Sequence, residues 1–122
     1  MENTLENLEV YIIARKISSL AWSIYNQLPQ KFQYHIGNQF LNAADSISAN
    51  IAEGYGRYHF KERINFNNFA RGSAYESKDW MEKIKERKLC DEADAIEFLE
   101  LIKVEILKIN GYNNYLRSKL TN

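Results

Sequence analysis

Apolar residues recur at three- and four-residue intervals along almost the whole chain, the period of helices that bury one face. In the first segment Leu5, Leu8, Ile12, Ile13, Ile17, Leu20, Ile24 and Leu28 trace a stripe. Pro29 ends it, because a proline pushes the residue before it out of the helical region. A second helix is predicted from about Gln33 to Tyr55, with Ile36, Phe40, Ala44, Ile47 and Ile51 inward. Gly54 and Gly56 are expected to stop it by reaching the left-handed conformation. A third runs from roughly His59 to Lys88 and turns Phe66, Phe69, Ala70, Ser73, Ser77, Trp80, Met81 and Ile84 inward. Asp91 or a neighbour caps a fourth, with Ile96, Leu99, Ile102, Ile106, Ile109, Leu116 and Leu120 along it. Gly111 inside that helix costs about 1 kcal/mol relative to alanine, which hints at close packing or a kink. Connections of roughly three to six residues make sequential helices antiparallel neighbours. The expectation is a single all-α domain over residues 1–122, an antiparallel up-down-up-down four-helix bundle, long enough to bury a core without staples.

The polar positions break this pattern in two places. Between Ala43 and Gly56 the only charges are Asp45 and Glu53. Gln39, Asn42, Ser46, Asn50, Glu53 and Arg57 follow one another at spacings of three and four, along one side of the second helix. Ala70-Arg71-Gly72-Ser73 and Glu76 answer them on the third. One reading is a ligand or catalytic groove built on Asn50, Glu53 and Arg57. The other is a buried hydrogen-bond network that locks the two helices together, since buried polar groups must be paired. The expectation is the interlocked network, joining Ser46, Asn50, Glu53, Arg57, Arg71 and Glu76. So little charge on any face of the second helix further suggests that another subunit covers it, so the chain is expected to be a homo-oligomer.

Lys plus Arg and Asp plus Glu balance at 16 each, so bulk charge draws the chain to neither nucleic acid nor an anionic membrane. Any such binding needs a local patch. The candidate nucleic-acid contacts are Arg57, Lys61 and Arg63, and the run Lys83, Lys85, Arg87 and Lys88. That run also complements the negative end of a helix, and Glu82 and Glu86 dilute it. The lone Cys90 suits a reducing compartment. The acidic opening Met1-Glu2-Asn3-Thr4-Leu5-Glu6 lacks the layout of a signal peptide, and no apolar run approaches the ~20 residues that cross a bilayer. A cytoplasmic protein without membrane contact is expected. His35 and His59 fall outside any metal-ligand pattern, the glycines follow no strand, and Ser46, Ser48 and Ser73 have no evident activating histidine. The chain is therefore expected to be non-enzymatic, with no metal or cofactor.

These motifs resemble the four-helix-bundle family that includes the 23S rRNA intervening-sequence proteins of bacteria. Leu8-Glu9-Val10-Tyr11 with Ala14 resembles its opening helix and Leu28-Pro29 its first turn. Gln39, Ala43-Ala44, Ser46-Ile47 and Asn50-Ile51-Ala52-Glu53-Gly54-Tyr55-Gly56-Arg57 resemble its signature. Phe66, Ala70-Arg71-Gly72-Ser73 and Glu76 resemble its third-helix motif. The resemblance implies a scaffold that assembles with itself and docks RNA or a nucleic-acid enzyme. A related accessory protein of diversity-generating retroelements forms a pentameric barrel and binds nucleic acid and a reverse transcriptase, so the resemblance implies a pentamer. Where the family commonly carries two arginines after the glutamine, this chain has Leu41-Asn42, which removes two positive charges from the second helix.

Overall fold

Pro29 ends the first helix where the sequence places the break. The computed structural model describes residues 4–120; the part of the signal-peptide reading that rests on Met1–Asn3 lies outside the described residues. A 3-10 turn at Leu5–Asn7 precedes α1 (Glu9–Gln27), and Leu28 is extended before the proline (φ −70°, ψ 139°). A single turn at Gln30–Phe32 and a π-helical turn at Gln33–Gly37 then lead without a break into α2 (Asn38–Tyr55). The buried Gly37 closes that wide turn; a Cβ there would sit 3.0 Å from Leu28 Cδ1 and 3.2 Å from the Phe32 carbonyl oxygen. α3 (Phe60–Glu86) and α4 (Glu92–Ser118) complete the bundle. Each helix packs on its two neighbours in a closed square, with α1 against α2 and α4, and α3 against the same pair.

The expected cap on the fourth helix is present: Asp91 Oδ1 accepts from the Ala93 N–H at 2.9 Å. The Gln27 carboxamide fixes the closure of the square. It accepts from the Asp91 N–H and donates to Asp94 Oδ2, both at 2.7 Å, so the end of α1 is tied to the start of α4.

The glycines do different work from that expected of them. No described glycine has a positive φ, and Gly56 caps α2 at φ −74°. Gly54 is instead a notch: a Cβ there would lie 2.7 Å from Phe66 Cβ, so its missing side chain is what lets α3 approach α2. Among the described residues the left-handed one is Lys88 (φ 56°). Its N–H bonds the Lys85 carbonyl and the Leu89 N–H bonds the Ile84 carbonyl, both near 3 Å, which is the Schellman termination of α3. A non-glycine residue is strained in that conformation by ~1–2 kcal/mol, part of which glycine's greater unfolded-state entropy offsets. Lys88→Gly is therefore expected to raise stability by about 0.5–1 kcal/mol in urea unfolding.

Gly111 has no neighbouring atom within 4 Å of a built Cβ, and neither does Gly72, so close packing explains neither. α4 runs through Gly111 unbroken.

The core stripe of α2 and the π-helical turn before it is the one the sequence predicts: Ile36, Phe40, Ala44, Ile47 and Ile51 are all buried. α4 is rotated from the expected phase. Its buried seam is Ala95, Phe98, Ile102, Glu105, Ile109, Asn113 and Leu116, while Ile96 and Leu120 are exposed. Large aliphatic residues cover several faces of this helix, so following size alone selects a stripe displaced from the seam. Phe69, expected inside, is 59% exposed on α3. The Phe40 and Phe98 rings meet across the core at 5.0 Å.

Candidate nucleic-acid interface and the polar core

The predicted polar network does not form within the chain. Asn50 Nδ2 donates to the Ser46 carbonyl at 2.8 Å, one turn back on its own helix. Gln39, Glu53 and Arg57 are exposed and Ser73 is half-buried. Glu76 is exposed and accepts from Trp80 Nε1 at 3.1 Å, again one turn along its own helix. Arg71 turns away from α2 altogether and donates to Asn110 and Asn68. The reason is geometric. Gly54 lets the α2 and α3 backbones close on each other, and the polar stripe is left on the shoulder of α2, where water can satisfy it. Glu53→Ala, on the network reading a loss of about 1–3 kcal/mol, is accordingly expected to change the stability of the chain by no more than about 0.5 kcal/mol.

The buried polar cluster lies instead between α3 and α4. Asn67 Nδ2 donates to Asn113 Oδ1 at 2.9 Å, and Asn113 Nδ2 donates to Asn68 Oδ1 at 3.2 Å. Arg71 closes the chain of bonds through Asn68 and Asn110. Asn67 and Asn113 are almost completely buried, and this asparagine ladder fixes the register of the two helices. Glu105, two turns before Asn113 on the same seam, is fully buried, and neither of its oxygens has a hydrogen-bond partner. Burial, with the Glu9 carboxylate adding to it, raises its pKa to about 8.

The signature stretch builds the corner between α2 and α3. Gly54 admits Phe66, and the Arg57 guanidinium lies 5.0 Å above the Phe66 ring. Arg63 Nε donates to the Arg57 carbonyl at 3.1 Å. The Arg63 guanidinium sits over Tyr55 at 4.9 Å and over Phe60 at 5.3 Å, and lies beside the Tyr112 hydroxyl. Burial holds that phenol above its ordinary pKa, against the opposing pull of Arg63. Beside this corner, where α1 begins and α4 ends, Arg63, Tyr55, Phe60, Tyr112 and Tyr115 line a half-open cleft of about 420 Å³. Tyr115 is 55% exposed, with Lys119 Nζ 5.2 Å from its ring, and Tyr58 in the corner is 89% exposed.

The two basic sets do not form one surface. Arg57, Lys61 and Arg63 lie at the start of α3, and Lys83, Lys85, Arg87 and Lys88 at its far end. Lys61 and Lys85 are separated by roughly 36 Å of helix. Lys83 is engaged locally, 2.7 Å from Asp79 and 4.5 Å above Trp80. Sequence reasoning missed Tyr112, Tyr115 and Lys119, which the structure adds to the first set. Their three- and four-residue spacing on one face of α4 was the available signal.

Cys90 stands near the far end. Burial, then the Asp94 and Asp91 carboxylates, push its thiol up to about 11. Because the thiolate is the nucleophile, alkylation at pH 8 is expected to run on the order of tenfold slower than for an ordinary cysteine near 8.5, the loss of thiolate being partly offset by its greater nucleophilicity. No group of three or more His, Cys, Asp or Glu among the described residues is placed to hold a metal ion. No described helix is long and apolar enough to cross a membrane.

A family model described as 23S rRNA-intervening sequence protein matches residues 6–111. The chain belongs to that family. A crystal structure of a protein of unknown function from the S23 ribosomal protein family of Bacteroides thetaiotaomicron has the same fold, with a TM-score of 0.73 at 21% identity. The match covers 93% of this chain and 99% of that one. No curated protein matches the sequence. Within the family match, the signature residues take a structural place: Gly54, Tyr55, Arg57 and Phe66 shape the α2–α3 corner and the cleft beside it.

Proposed function

We propose that this member of the 23S rRNA-intervening sequence protein family is a non-enzymatic, self-assembling scaffold that docks RNA at the α2–α3 corner. The observation that carries the reading is the collection of cations and exposed rings at one end of the bundle. Arg57, Lys61, Arg63 and Lys119 stand there with Tyr58 and Tyr115. Cations that follow a phosphate backbone, interleaved with aromatic faces for bases, are how single-stranded nucleic acid is held without sequence readout. With no net charge on the chain, attraction depends on this end alone.

Self-assembly is supported from a different surface than the sequence suggests. α2 carries no exposed large apolar side chain, whereas Phe69 and Tyr75 on α3 and Val104 and Leu107 on α4 are exposed. Tyr75 and Leu107 border one apolar groove between these helices. A pentamer is the expected assembly, a count supplied by the resemblance. Sedimentation equilibrium should show a species several times 14.3 kDa, reduced toward the monomer by Leu107→Glu; a wild-type monomer at micromolar concentration would remove assembly from the proposal.

RNA docking is tested by filter binding of a hairpin RNA with an unpaired loop. Four phosphate contacts predict that affinity falls on the order of fifty- to a hundredfold between 50 and 200 mM salt, through counterion release. An affinity insensitive to salt, or no binding at 50 mM, would overturn it.

A further inference from the structure

The cleft beside the corner has the chemistry of a site for one nucleotide. Its volume, about 420 Å³, falls in the lower part of the ~300–1,000 Å³ range of small-molecule sites. Four aromatic side chains, Tyr55, Phe60, Tyr112 and Tyr115, share its walls with Leu8, Leu116 and polar residues, and its cation is Arg63. Of the five N–H donors of that guanidinium, Nε is committed to the Arg57 carbonyl, and the Tyr112 hydroxyl lies close by. No carboxylate among the described residues forms an ion pair with Arg63, whereas Glu9, the acid on the cleft wall, is paired with Lys108 at 3.2 Å. Tyr55 and Phe60 pack against the guanidinium at 4.9 and 5.3 Å, and its remaining N–H donors are available to a ligand oxygen. An arginine presented this way suits a phosphate. Tyr115, half-exposed at the rim, offers a ring face.

The geometry points to a nucleoside monophosphate unit as the occupant, with its phosphate on Arg63 and its base stacked on Tyr115. The unit could be a free nucleotide or an unpaired nucleotide of an RNA strand. A base inside a duplex is excluded, because its faces are already stacked and its strand cannot enter a cleft of this size. This inference deepens the RNA-docking reading and rests on it for the source of the nucleotide, but not for the site itself.

The test titrates full-length protein with adenosine 5′-monophosphate, followed by NMR of the tyrosine ring protons, and with a labelled single-stranded oligoadenylate and a blunt RNA duplex of equal length, followed by anisotropy. Tyr115→Ala should weaken the single strand on the order of tenfold, Tyr115→Phe should restore the affinity, and duplex binding should not change. Adenosine monophosphate should shift the Tyr115 resonances and compete with the single strand. Nucleotide binding without RNA binding would keep the site and remove RNA docking. RNA binding that Tyr115→Ala leaves unchanged, with no shift from the nucleotide, would overturn the cleft assignment and leave docking at the corner intact. Absence of both kinds of binding would overturn both.

Discussion

Replacing Glu105 with glutamine is expected to stabilise the protein by roughly 2–4 kcal/mol at pH 7.5 and to change little at pH 4.5. The carboxyl is fully buried, both oxygens lack partners, and its pKa stands at about 8. In the unfolded chain it ionises near its ordinary value, about 4.3. Between these values the folded state binds the extra proton. Stability from this group is therefore complete below about pH 4.3 and falls as pH rises toward 8, by at most ~1.4 kcal/mol per pH unit. Glutamine keeps the shape and stays neutral in both states, so it removes the slope. Urea unfolding of both proteins at pH 4.5, 6 and 7.5 measures the difference directly. A gap between them that stays constant with pH would mean that Glu105 is ionised, or hydrated, in the folded bundle.

Gly54→Ala is expected to cost about 1–3 kcal/mol. The added methyl would sit 2.7 Å from Phe66 Cβ, an atom fixed to the α3 backbone, so relief requires the whole helix to move. Moving it would also pull Phe66 from beneath Arg57 and disturb the corner. Gly56→Ala is the control, because its built Cβ has nothing nearer than 3.5 Å. Thermal unfolding of the two variants should separate them clearly; equal melting temperatures would show that α2 and α3 do not meet at Gly54 as described. Gly72→Ala and Gly111→Ala, on open faces, should each gain about 0.5–1 kcal/mol.

How far the sequence revealed this molecule depended on whether a residue's role was local. Pro29, the Asp91 cap and the α2 stripe were legible because each acts within a turn or along a single helix. The identity of the α4 seam was not. Glu105 and Asn113 occupy positions that spacing alone assigns to the core, but their polarity argued against burial, and only the contact with α3 shows that asparagines there satisfy one another. Arg71 was legible as a residue that needs a polar partner, but not which helix would supply it. Gly54 was read as a helix end, and only its distance to Phe66, which lies on another helix, shows that it is a point of close approach. The basic residues were individually visible, yet their division between opposite ends of α3 is a matter of length along the helix. Tyr115 and Lys119 reach the same end only because α4 runs antiparallel to α3.

The claim that RNA docks at the α2–α3 corner is tested most directly by two charge reversals in one filter-binding assay at about 50 mM salt. Arg57→Glu combined with Lys61→Glu changes exposed residues at the corner, and Lys85→Glu combined with Arg87→Glu makes the same change in charge at the other end of α3. The account predicts that the first pair weakens binding of a loop-bearing RNA by at least about tenfold, the scale expected from lost phosphate contacts at low salt. The second pair should leave it within about twofold. Equal losses from the two pairs, or a greater loss from the second, would contradict the account.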